Sequence, residues 1–154
     1  MLTEEEIEEI FAEVALCEQP QAASVDALRI VQKRRRWVSD ESISDIALLL
    51  NMTPAELDAV ATFYNFIYRK PVGRHVVQIC DSMVCWTMGY DPLRELLQKK
   101  LGIGPGGTTQ DNRFTLLPVA CLGACDRAPA MLVDEDLYGP VTPEMLDGIL
   151  EKYI

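Results

Sequence analysis

Four of the five cysteines fall into two close pairs. Cys80 and Cys85 are separated by Asp-Ser-Met-Val, and Cys121 and Cys125 by Leu-Gly-Ala. Paired thiolates serve iron–sulfur ligation, zinc ligation or thiol redox chemistry. A two-iron cluster takes two sulfurs on each iron, and one pair on each of two segments meets that need. Structural zinc usually prefers a two-residue spacing, although wider ones occur. A redox disulfide favours C-x-x-C, which this chain lacks. The spacing therefore favours a [2Fe–2S] centre and leaves zinc and thiol chemistry as alternatives. Gly123 lets the second loop pass near an inorganic sulfide and donate an amide hydrogen bond. Such bonds, with burial and net charge, set a potential within the wide range of roughly −700 to +450 mV. Met83, Val84 and Leu122 either keep water from the centre or merely pack.

The elements that must bring the pairs together are legible on either side of Pro71-Val72-Gly73. Residues 1–72 read as a helical domain. Thr3 and Glu6 form a capping box ahead of the apolar face Ile7, Ile10, Phe11 and Val14. Ser24 is expected to cap a second helix bearing Leu28 and Val31. Ile43, Ile46, Ala47 and Leu50 repeat the helical spacing. Thr53-Pro54-Ala55-Glu56 starts a further helix, with Leu57, Val60, Ala61 and Tyr64 on its face.

Residues 73–154 alternate between strand and helix. A strand over 75–79 ends at Cys80, and Asp91-Pro92 opens a helix carrying Leu93, Leu96, Leu97 and Leu101, with Gly102 at its C-terminal cap. Phe114–Leu117 is the next strand, running towards Cys121. The segments 130–133 and 137–141 read as an antiparallel pair around Asp134-Glu135-Asp136, and Thr142-Pro143 starts a last helix. Thirty-five residues lie between Cys85 and Cys121, about what a parallel βα crossover requires. That topology puts both cysteine loops at one end of the sheet, where α/β folds usually build their sites. The fold class is thus α+β or α/β, a helical domain followed by a small sandwich of helices on a sheet.

Composition narrows the function. The chain is 49% hydrophobic and carries 24 acidic against 14 basic side chains, a formal charge of −10. That balance argues against nucleic-acid binding, which needs clustered Lys and Arg. The run Lys33–Arg36 is isolated and reads as a solvated helix face or a docking patch. A helix-turn-helix over Ile43–Tyr64 would place Glu56 and Asp58 against phosphates, which repel them. Gly102-Ile-Gly104-Pro-Gly106-Gly107 follows a helix rather than a strand and reads as a turn, not a dinucleotide loop. No apolar run approaches the ~20 residues a membrane span needs. The acidic start MLTEEEIEEI is neither a secretory signal nor a transit peptide. A cytoplasmic location follows as an expectation, and in that compartment five cysteines point to metal or redox chemistry rather than to disulfides. Cys17 stands apart and is expected to pack as a small hydrophobe. Trp37 and Phe63-Tyr64 read as core or interface anchors, and His75 as an ordinary strand residue.

The segments GRHVVQICDSMVC, TTQDNRFTLLPVACLGACDRAPAML and VATFYNF resemble the family of the 24-kDa-type [2Fe–2S] subunit of respiratory NADH:quinone oxidoreductase, complex I. Related subunits occur in NAD-linked formate dehydrogenases and hydrogenases. The resemblance covers nearly the whole chain. It implies a thioredoxin-like [2Fe–2S] ferredoxin domain over 73–154 after the helical domain 1–72, and one [2Fe–2S] cluster held by Cys80, Cys85, Cys121 and Cys125. It implies electron transfer beside an FMN- and NADH-binding flavoprotein subunit and other peripheral-arm subunits, with no NADH oxidation by this chain alone. It also implies a cytoplasmic position, peripheral on the inner face of the membrane through the complex, with no direct membrane insertion. An equivalent subunit of a formate dehydrogenase or hydrogenase, or a zinc-binding structural module, are the alternatives. Many relatives carry Pro before the second cysteine and Gly before the residue matching Trp37; here those positions are Val84 and Arg36.

Overall fold

The computed structural model describes residues 1–153 and divides into two compact units, Met1–Pro71 and a second beginning at Val72. In the first unit four helices run in succession: α1 (Glu4–Val14), α2 (Ser24–Arg35), α3 (Asp40–Leu49) and α4 (Pro54–Phe63). Both expected capping boxes form, Thr3 with Glu6 and Thr53 with Glu56, and Pro54 opens α4. Each box satisfies two of the helix-start amides that would otherwise lack a partner. Ile10, Leu28, Val31, Ile46, Ala47, Leu50, Leu57 and Ala61 close into one apolar core.

Several sequence expectations need correction in this unit. Ser24 is the first residue of α2 rather than its cap, because a short 3-10 turn over Pro20–Ala23 leads directly into the helix. Phe11, Phe63 and Tyr64 are exposed, so none of them anchors this core. The basic run keeps Lys33, Arg34 and Arg36 exposed, as a solvated helix face would, while Arg34 bonds Glu5 and, at 2.5 Å, Glu9, and Arg35 holds the buried Glu6 at 2.5 Å. The acidic face of α1 therefore engages the charges of α2. Arg36 ends α2 in the left-handed region at φ 73°, where glycine is favoured.

The second unit is a four-stranded sheet of order β2-β1-β3-β4, built from β1 (His75–Cys80), β2 (Phe114–Val119), β3 (Met131–Val133) and β4 (Asp136–Tyr138). Strands β1 and β2 are parallel, and the other two pairings are antiparallel. The chain between β1 and β2 forms a short helix, α5 (Met83–Thr87), and the longer crossover helix α6 (Tyr90–Leu101). A last helix, α7 (Met145–Leu150), starts later than Thr142-Pro143 suggested, and β4 stops at Tyr138 rather than continuing to 141. Leu93, Leu97, Val77, Ile79, Leu116, Met131 and Leu146 form the core between sheet and helices. His75 is more than a plain strand residue, since its Nδ1 lies 2.6 Å from an Asp134 carboxylate oxygen. The glycine-rich turn after α6 uses its amides on its own chain: Gly106 N–H donates to Leu116 O and Gly107 N–H to Gly104 O. No single helix among the described residues is long and apolar enough to cross a membrane.

Candidate metal centre

The parallel register fixes where the cysteines emerge. Cys80, the last residue of β1, stands opposite Val119, the last residue of β2. Both chains therefore leave the sheet at the same edge, as the crossover argument requires. The segment after β1 is tied on both sides: Cys80 N–H donates to Ala130 O at 3.1 Å and Asp81 N–H to Val119 O at 3.0 Å. The chain then turns at Ser82 into α5, which carries Cys85. The sequence suggested a loop throughout 80–85, so this helical turn is a correction. Val84 occupies its first turn, where an amide needs no helical partner. A proline would be compatible with that position.

Cys80 and Cys85 are both buried, among Ala124, Ala128 and Ala130, with Leu122 packed against them. Alanines at these places let the second loop lie close over the first pair. Cys121 and Cys125 are exposed, and all five cysteines are free thiols. The four sulfurs are thus presented as an inner pair and an outer pair. Among the described residues, no three His, Cys, Asp or Glu side chains gather tightly enough for one metal ion. Two pairs of thiolates match the donor set of a two-iron centre.

Hydrogen bonds converge on these sulfurs. Burial pushes the Cys80 thiol up, but donors from the Ser82 hydroxyl, the Ser82 amide and the Leu122 amide outweigh it and leave the thiol below its ordinary value. Cys85 goes the other way: burial raises it, the neighbouring Cys80 raises it further, and the Ala130 amide with the Ser82 hydroxyl only partly offsets them. On the outer loop, Gly123 at φ 73° donates its N–H to Cys121 Sγ at 3.2 Å. The glycine reading from sequence thus lands on a real donor, although its acceptor is a cysteine sulfur. Ser82, Leu122 and Ala130 were not expected as donors. Two of them act through the backbone and leave no residue-type signal, while Ser82 could have been noticed as a hydroxyl two residues after a cysteine.

Known proteins are similar to this chain in sequence and fold. Residues 7–154 match the model of the thioredoxin-like [2Fe–2S] ferredoxin family. The E subunit of the NADH-quinone oxidoreductase of Pseudomonas aeruginosa is 49% identical over 154 residues, covering 100% of this chain and 93% of that protein. Its counterpart of the same description in Escherichia coli K12 is 50% identical over 152 residues, covering 99% and 92%. Among solved structures, an NAD+-reducing [NiFe]-hydrogenase in the air-oxidized state superposes with a TM-score of 0.70 at 26% identity, over 85% of this chain and 22% of that one. The family match spans the helical unit and the sheet alike, so the chain belongs to the thioredoxin-like [2Fe–2S] ferredoxin family.

Proposed function

We propose that this chain is the electron-transferring E subunit of an NADH-quinone oxidoreductase, carrying one [2Fe–2S] cluster on Cys80, Cys85, Cys121 and Cys125. The single observation that supports the ligand set best is the emergence of both cysteine pairs at one sheet edge, with the Leu122 amide of the second loop reaching Cys80 of the first. The identity of 49–50% along the whole length favours this complex over a hydrogenase, whose structural likeness stands at 26%. When bound, the cluster supplies a one-electron donor and acceptor. The chain's own residues do the rest. The inner pair sits in an apolar, alanine-lined pocket that limits water, and the amide and hydroxyl donors counter negative charge on sulfur.

The partner is an FMN- and NADH-binding flavoprotein, with other peripheral-arm subunits around it. The complex holds the chain at the cytoplasmic, inner face of the membrane. Exposed apolar side chains support a partnered surface: Met83, Trp86 and Met88 flank the first cysteine pair, and Phe63, Tyr64 and Phe66 cluster in sequence on the helical unit. Large aromatics and methionines are enriched where proteins meet. We assign the helical domain to residues 1–72 and the ferredoxin domain to 73–154. Absorption and EPR spectra of anaerobically purified protein test the reading. About two irons per chain and a paramagnetic signal after dithionite are expected; a colourless protein with stoichiometric zinc would overturn it.

A further inference from the structure

We propose that Ser82 is a positioning residue for the inner cysteine pair, its hydroxyl donating to the Cys80 sulfur and raising the reduction potential of the centre that the pair holds. The inference rests on the ligand set proposed above. Its geometry is specific. Ser82 Oγ lies 3.3 Å from Cys80 Sγ, within the reach of a sulfur hydrogen bond.

Its position adds a second, independent observation. Ser82 stands at the N-cap of α5, in the extended conformation at φ −68° and ψ 163° that capping serines adopt. A serine there ordinarily accepts from an amide of the helix it caps. Among the described residues this one makes no such bond. The hydroxyl turns instead towards sulfur, so the cap residue holds the cysteine loop rather than the helix end. Ser82 thus holds the start of the four-residue link that runs from Cys80 at the strand terminus to Cys85 in the first turn of α5.

The electrostatic consequence has a definite sign. Reduction adds one electron and leaves the ligand set intact, making the sulfurs more negative. A hydroxyl donor stabilises the more negative state more strongly, because hydrogen bonds strengthen with charge on the acceptor. Hydrogen bonds to the sulfurs are among the terms that set the potential of such centres. Removing the Ser82 hydroxyl therefore lowers the potential, while burial and the amide donors stay.

The test is an EPR-monitored redox titration of the anaerobically purified full chain and its variants, with iron counted in parallel. For Ser82→Ala, the oxidised-to-reduced ratio at fixed potential should rise roughly tenfold, which is about 59 mV for a one-electron couple. Ser82→Gly, which an N-cap position tolerates well, should lower the potential by a similar amount and serves if the alanine variant folds poorly. Ser82→Thr keeps the hydroxyl and should return the potential to the parent value. An unchanged potential in the hydroxyl-free variants, with iron content intact, overturns the proposal. So does an equal fall in all three variants, since that would assign the effect to packing. Failure of the underlying ligand set is a separate outcome, visible as a parent protein without the [2Fe–2S] signal.

Discussion

Gly123 donates its backbone N–H to the sulfur of Cys121 across 3.2 Å from a left-handed backbone at φ 73°. Space around its Cα is open, with nothing within 4 Å of where a Cβ would sit. An alanine would therefore meet no clash and would leave the donor in place. Its cost is backbone strain alone, about 1–2 kcal/mol. Gly123→Ala should hold its iron but melt lower, by about 4–8 °C per kcal/mol for a unit of this size. Calorimetry checks the shift, and an unaltered melting temperature would mean that the loop relaxes freely.

The ligand set gives a sharper contrast. Alanine at any of the proposed ligands Cys80, Cys85, Cys121 or Cys125 would deprive one iron of a thiolate and should abolish or severely disturb the cluster. Cys17 packs against the helical core at the edge of the first unit, so Cys17→Ala should keep iron and spectrum. Iron analysis and visible absorption on all five variants decide the matter. Loss of the cluster in the Cys17 variant alone would contradict the assignment.

Much of this was legible in the sequence because the signals were local. The capping boxes at Thr3 and Thr53 and the crossover between β1 and β2 depend on neighbours in the chain or on a short spacing. What escaped depended on distant partners. The acidic face of α1 neutralises Arg34 and Arg35, which a run of basic letters cannot reveal. Asp134, at φ 53°, reaches back to His75 and to the Val76 amide, a pairing across 58 and 59 positions that no periodicity encodes. The helix carrying Cys85 was missed because five residues are too few to display an amphipathic period.

Acid stability should depend on Glu6. This carboxylate is 1% exposed and bonded by Arg35 Nε at 2.8 Å and by the Thr3 amide at 2.8 Å. Burial pushes its pKa up, but the Arg35 guanidinium and the Thr3 amide outweigh burial and hold it below the usual value. A depressed folded pKa means the stabilisation is present above the unfolded value of about 4.3 and is lost as pH falls through the folded one. Glu6→Gln keeps an acceptor for the capping box but removes the charge that Arg35 bonds directly, leaving Glu41 and Asp45 as its nearby carboxylates. It should destabilise the first unit by roughly 3 kcal/mol at neutral pH; the low end of the range applies because Arg35 is 30% exposed. The variant should also show a shallower loss of stability below about pH 4. Melting curves across roughly pH 3–7 report both, and parallel acid limbs for parent and variant would remove Glu6 from this role.

Taking a hydride requires a group that accepts two electrons and releases them singly, which is the chemistry of a flavin. The four thiols proposed as ligands supply a one-electron centre, and the glycine-rich turn at 102–107 uses its amides internally rather than offering them to a pyrophosphate. Purified alone, the protein should bleach with dithionite and stay oxidised with NADH. Addition of the proposed FMN-carrying partner should make NADH effective, because that partner would perform the hydride step and pass on single electrons. Substitution of the exposed Trp86 or Met88 beside the first cysteine pair by a charged residue should weaken assembly with that partner and leave dithionite bleaching unchanged, since neither side chain is a proposed ligand. Stopped-flow absorbance with and without the flavoprotein measures the first contrast, and analytical ultracentrifugation the second. Rapid reduction by NADH in a sample free of flavin would overturn the electron-transfer assignment itself.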